Sequence, residues 1–121
     1  MIRAFTNTVF VVFAFCVVAY AADVTGKWTA SFDTQIGEQH YTYEFKVDGN
    51  KVTGTAKSDN GESQIRDGKL EGDTITFTEL LKFQDMDLVI TYTGKINGDE
   101  IKFTRKVGDF ATEELVAKRV K

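Results

Sequence analysis

The 121-residue sequence predicts an all-β protein, a single eight-stranded antiparallel up-and-down barrel, with a β-sandwich as the alternative. Three observations carry that expectation. Apolar and polar residues alternate with period two through most of the chain, the pattern of half-buried strands. Short Gly, Asp and Asn clusters punctuate the alternation, as hairpin turns do. And one eleven-residue phrase, G-K-[LI]-x-G-D-x-I-x-F-T, occurs at positions 68–78 (GKLEGDTITFT) and again at 94–104 (GKINGDEIKFT). Two copies are too few for a solenoid, which needs three or more stacked units. Each copy reads instead as a strand end, a tight turn and a returning strand, so the repeat is a hairpin used twice.

The N-terminal stretch MIRAFTNTVFVVFAFCVVAYAA stands apart from this pattern. Arg3 supplies a positive start, Val9 to Val18 an apolar core, and Ala19-Tyr20-Ala21 small residues at the −3 and −1 sites of a signal peptidase. That is the build of a secretory signal peptide over residues 1–21. A membrane anchor is the competing reading, but spanning a bilayer takes about 20 apolar residues. A lipoprotein signal at Cys16 would require a small residue where Phe15 stands. Cleavage removes the only cysteine, so residues 22–121 form one domain held by its core, with no disulfide and no thiol chemistry.

Within that domain the strands are expected at Val24–Asp33, Gln39–Asp48, Lys51–Ser58, Ser63–Leu70, Asp73–Phe83, Leu88–Ile96, Glu100–Val107 and Thr112–Val120. Tyr41, Tyr43, Phe45 and Val47 share one face of the second. Asp67-Gly68 interrupts the alternation between Ile65 and Leu70, which suggests a bulge that helps the sheet curl. Short connections and the absence of proline favour a meander, and closing it removes its edges.

Without Arg3 the domain carries 14 basic and 18 acidic residues, a net charge of −4. The charges are interspersed, which leaves no basic stripe for nucleic acid or anionic lipid. After signal cleavage no stable membrane insertion is expected.

At the head of the first strand stands Gly26-Lys27-Trp28, and near the end of the last, Leu115-Val116-Ala117-Lys118-Arg119-Val120. With the meander between them, these resemble the calycin superfamily of lipocalins, fatty-acid-binding proteins and avidins. The resemblance implies that Trp28 closes one barrel end and that Arg119 packs over it, a cation–π latch worth roughly 0.5 to 2 kcal/mol. Val52-Thr53-Gly54-Thr55 extends the likeness to avidins, but avidin-type biotin sites use several tryptophans and Trp28 is the only one here. Over nearly the whole domain the chain is similar to small exported bacterial proteins with a G-x-W start and an A-K-R-V end. Those proteins sometimes occur in carbohydrate-processing contexts, and no activity is attached to them.

Several chemistries lack their residues. His40 is the sole histidine, so neither a histidine metal cluster nor a zinc site is expected. There is no G-x-S-x-G elbow, phosphate loop or dinucleotide fingerprint, and no cofactor is expected. Asp85-Met86-Asp87 and Asp59-Asn60-Gly61-Glu62 lack calcium-loop spacing and read as solvated turns.

The repeat itself supplies the candidate site. Counted from each phrase's first glycine, Glu79 and Arg105 hold the same position, each following Ile-x-Phe-x. If that face is the interior, opposite charges point inward with one strand between them, about 10 Å apart at the backbone. They are either a half-solvated pair at the barrel mouth or a polar anchor within an apolar cavity. Tyr41, Tyr43 and Tyr92 share the inner faces and complete a candidate ligand-binding set with Glu79 and Arg105. So many aromatics leave room for one small, partly polar molecule and none for a long lipid. The expected function is therefore a secreted or periplasmic small-molecule-binding protein rather than an enzyme. One alternative is a barrel-type cyclase or isomerase using Glu79 or a tyrosine as acid or base. The other is an accessory module that binds protein or glycan through its surface.

Overall fold

The structure, a computed structural model, describes residues 23–83 and 85–121. The expected signal peptide, with Cys16, lies outside them. Eight strands, β1 (Gly26–Thr34), β2 (Gly37–Asp48), β3 (Lys51–Ser58), β4 (Gly61–Glu71), β5 (Thr74–Phe83), β6 (Met86–Asn97), β7 (Glu100–Val107) and β8 (Ala111–Arg119), pair antiparallel in chain order. They close into one barrel because β8 returns to β1. A sandwich would leave two separate sheets, so the closed ladder sets that alternative aside.

Alternation dictates which side chains enter the barrel. Trp28, Ala30 and Phe32 of β1 point inward, as do Tyr41, Tyr43 and Phe45 of β2, while their neighbours face solvent. In the two repeated hairpins the turns open with Gly72 and Gly98, at φ +61° and +63°. Only glycine enters that left-handed region freely, which is why the phrase keeps its G-D. The Asp67-Gly68 interruption is a bulge. The register of β4 shifts against both neighbours there, and Asp67 adopts φ +52°. A Cβ on Gly68 would lie 2.1 Å from the Val52 carbonyl oxygen. One extra residue lets Ile65 and Leu70, five apart in sequence, both face inward.

The hairpins at one end are tighter than the sequence suggests. β2, β4 and β6 begin at Gly37, Gly61 and Met86, two residues earlier than expected, pairing with Thr34, Ser58 and Phe83. This end, formed by the β1–β2, β3–β4, β5–β6 and β7–β8 connections, is here called the mouth.

The opposite end is closed by Trp28, which is fully buried and donates its Nε1–H to the Val24 carbonyl at 2.9 Å. The Arg119 guanidinium lies 4.5 Å from the indole centroid. It donates Nη1–H to Thr25 O, Nη2–H to Asp23 O and Nε–H to Asp99 Oδ1, at 3.0, 3.0 and 2.9 Å. The segment preceding β1 is thereby tied to the last strand. Between the two ends the interior is packed with rings: Tyr43, Phe45, Phe77, Tyr92 and Phe103 stack or meet edge to face at centroid separations of 4.4 to 6.1 Å.

Closure is uneven. β1 and β8 pair only at Trp28↔Arg119 and Thr29↔Lys118, although both strands continue, paired on their other sides, to the mouth. Beyond Thr29 the two strands face each other without a ladder.

Candidate functional site

The two charges singled out by the repeat both enter the barrel and both are buried, with side-chain exposures of 1% for Glu79 and 4% for Arg105. The half-solvated reading of the pair is therefore set aside. Their surroundings are not equivalent, however. Register places Arg105 opposite Tyr92, and Tyr92 opposite Phe77, whereas Glu79 stands opposite Ile90. The two hairpins are offset by one pleat, so the charges meet on a diagonal, with Arg105 Nη2 3.9 Å from Glu79 Oε1.

Tyrosine hydroxyls fill the space between them. Tyr41 donates to Glu79 Oε2 at 3.1 Å, and Tyr92 donates to Glu79 Oε1 at 2.9 Å. Tyr43 donates to the Tyr92 oxygen at 3.0 Å. Arg105 donates Nε–H to Tyr92 at 2.9 Å, Nη2–H to Tyr41 at 3.0 Å and Nη1–H to Glu113 Oε1. Both Glu79 oxygens accept, as an ionised carboxylate requires; the Tyr41 oxygen accepts from Arg105 and the Tyr92 oxygen from both Tyr43 and Arg105, while Tyr43 acts here as a donor. The guanidinium carbon also lies 5.2 Å from the ring centroids of both Phe32 and Tyr41.

Burial dominates the electrostatics. It raises the Glu79 carboxyl above its ordinary value, opposed by the Tyr92 hydrogen bond, the Arg105 charge and the Tyr41 hydrogen bond. Burial, reinforced by the nearby Glu79 carboxylate, pushes Tyr41 up to about 12. Tyr43 and Tyr92 are driven well above the usual phenol value, chiefly by burial. For Arg105 burial works against the charge, but the Tyr92 and Tyr41 oxygens and the Glu113 hydrogen bond outweigh it, and the guanidinium stays charged.

Above this cluster the barrel opens. A cavity of about 200 Å³ lies at the mouth, with Tyr41, Arg105 and Glu113 at its floor and Leu81, Leu88, Ile90 and Val107 in its walls. Of the five candidate ligand-binding residues, Tyr41 and Arg105 line this cavity. Tyr43, Glu79 and Tyr92 do not: they lie in the packed interior and hold the floor in place. Arg119 and Trp28 are at the far end and take no part. A larger, more open groove of about 800 Å³ follows the unpaired β1–β8 seam, past Ser31, Asp33, Glu114 and Val116 and down to Phe32 and Leu115. It has no buried charge. His40 is exposed on the outer wall beside Ser31 and Glu38.

Polar lining residues that were not anticipated include Glu113, Gln39 and Asn60. Glu113 is paired with Arg105 across the β7–β8 ladder, and its inward direction was available from its alternation with Leu115 and Ala117. Gln39, buried at the head of β2, accepts a hydrogen bond from Asn60 Nδ2 at 3.0 Å. Nothing in the local sequence marks that contact, because it joins residues from two different hairpins. No protein-family model, curated protein or solved structure matches the chain.

Proposed function

We propose that the chain is an exported, calycin-like barrel, secreted or periplasmic, that binds one small, partly polar molecule in the cavity at its mouth. The observation that carries this reading is a buried guanidinium and a tyrosine hydroxyl, with Glu113, at the floor of a largely apolar cavity. A few fixed polar groups at the end of apolar walls is how small-molecule sites define orientation. Size limits the ligand: an apolar cavity of about 150 Å³ holds benzene, so about 200 Å³ suits a single ring or a short branched chain. The ring-packed interior below the floor leaves no channel for a long acyl tail. The exported location rests on the signal-like residues 1–21, and the calycin relationship on Trp28, Arg119 and the eight-stranded meander.

An isomerase or cyclase working through Glu79 is less well supported. Two tyrosine hydroxyls cap that carboxylate, and it does not line the cavity. Screening a set of one-ring fragments by methyl NMR tests the binding reading. Binders should shift Leu88, Ile90 and Val107 methyls and leave Val52 and Ile101, at the latched end, in place. Shifts confined to outer-face residues would favour the surface-binding module instead.

A further inference from the structure

We propose that the mouth cavity selects organic cations: a primary amine or ammonium group seated against Glu113 and Tyr41, carried by a small apolar body along Leu88, Ile90 and Val107. This rests on the mouth being the binding site and adds the charge of the ligand. The buried cluster holds two carboxylates, Glu79 and Glu113, against one guanidinium, Arg105. With both carboxylates ionised it carries one negative charge in excess, in a partly desolvated setting where charge is felt strongly.

The excess is presented to the cavity by Glu113, whose side chain is 11% exposed while that of Glu79 is 1% exposed. Glu113 Oε1 accepts from Arg105, and Oε2 has no donor among the described residues. Arg105 is not available in the same way. All three of its nitrogens already donate, to Tyr92, Tyr41 and Glu113. Three of its five N–H groups are thus engaged, and an anionic ligand reaching the second hydrogen of Nη1 or Nη2 would lie beside the Glu113 carboxylate. A cation meets a carboxylate oxygen directly, with the Tyr41 oxygen beside it.

The approach to the cavity has the same sign. Asp33 and Glu38 flank the β1–β2 connection, and Asp59, Asp85 and Asp109 lie in the other three; these acids outnumber Lys57, Lys82 and Lys106, which flank those three connections. Such a collar raises the local concentration of cations and repels anions. The ligand's apolar part is provided for at the rim. Ile36, Met86 and Phe110 are 54%, 48% and 64% exposed, and all three line this one cavity. Large apolar groups gathered at an opening are characteristic of a binding surface.

Calorimetric titration with three ligands of one shape, benzylammonium, benzyl alcohol and benzoate, tests the proposal. At neutral pH and low salt, benzylammonium should bind about tenfold or more tighter than benzyl alcohol, the difference between a charge-assisted and a neutral hydrogen bond. Benzoate should bind weakest. Glu113→Gln, which keeps an oxygen for Arg105, should reduce the preference for the ammonium to within about threefold. Ala111→Leu, which adds bulk at the cavity wall without touching the cluster, should weaken all three ligands alike. Benzyl alcohol or benzoate binding as tightly as benzylammonium, with shifts at the Leu88 and Val107 methyls, overturns the charge selection and leaves the binding site standing. Undiminished preference in Glu113→Gln overturns the assignment to Glu113. No heat and no mouth shifts from any of the three removes both the selection and the site. The ligand series on the unaltered protein decides the matter even where a variant folds poorly.

Discussion

Replacing Arg105 with methionine keeps much of the side chain's length and removes the one buried cation among the described residues. What remains is two carboxylates, Glu113 at the cavity floor without its partner and Glu79, 1% exposed, with two tyrosine hydroxyls as its donors. Breaking a buried pair from one side typically costs 3 to 5 kcal/mol. Glu79 retains both hydroxyl donors and can take up a proton, so the lower value, about 3 kcal/mol, applies. For a domain of this size that is a fall in Tm of roughly 12 to 20 °C. Glu79→Met alone should cost a similar amount, because it strands the guanidinium and leaves the Tyr41 and Tyr92 hydroxyls without their acceptor. Those orphaned hydroxyls cost about 1 to 3 kcal/mol each and persist in the double variant. The double methionine variant should therefore be about as unstable as either single one, and no worse. That non-additivity amounts to a coupling of about 2 kcal/mol or more, measured as a double-mutant cycle by urea or thermal unfolding. Coupling below about 0.5 kcal/mol would refute the buried network and place both charges in effective contact with water.

The latch should be separable from the network: Trp28→Ala is expected to cost roughly 3 to 5 kcal/mol and Arg119→Ala less, both measured by urea titration, with fragment binding at the mouth unchanged in Arg119→Ala. Among the described residues Tyr41, Tyr43 and Tyr92 are the only tyrosines, all buried with raised pKa values, so in residues 22–121 phenolate absorbance should stay silent through pH 10 and appear only close to unfolding. The sign follows from linkage. A group whose pKa is raised on folding contributes stability that is whole below its unfolded value and lost as pH climbs through its folded one. Tyr41 alone, moved from 10 to about 12, accounts for about 2 to 3 kcal/mol lost over that interval. Exported protein should begin after Ala21 and fail to label with thiol reagents, and a labelled cysteine would mean that Cys16 is retained.

Most of the barrel was legible because its determinants are local. A period of two places Ile75, Phe77 and Glu79 on one face whatever the neighbouring strands do, and a Gly-Asp pair sets a turn by its own backbone preferences. The inward direction of Glu79 and Arg105 followed in the same way. Their relative height did not, because it depends on the offset between two hairpins. Two copies of one phrase suggest equivalent surroundings, yet the ladder sets Arg105 opposite Tyr92 and Glu79 opposite Ile90. The division of the five candidates into a floor and a support is equally non-local. It depends on how far the rings from β2, β5, β6 and β7 fill the interior before the barrel opens. Glu113 was readable from its alternation with Leu115 and Ala117, but its role depends on lying directly across from Arg105. The unpaired stretch between β1 and β8 has no mark in either strand, since both alternate normally toward the mouth.

The claim on which the rest depends is that the mouth cavity, with Arg105, Tyr41 and Glu113 at its floor, is where this protein meets its ligand. A crystal structure of residues 22–121 with a bound one-ring fragment from the NMR screen tests it most directly. The fragment should lie between Leu88, Ile90 and Val107 with its polar atom within hydrogen-bond distance of Tyr41 or Glu113, and the hydrogen bonds from Tyr41 and Tyr92 to Glu79 should be intact beneath it. A fragment seated in the outer groove along the β1–β8 seam, with the mouth cavity unchanged, would contradict the account and assign binding to the surface of the barrel.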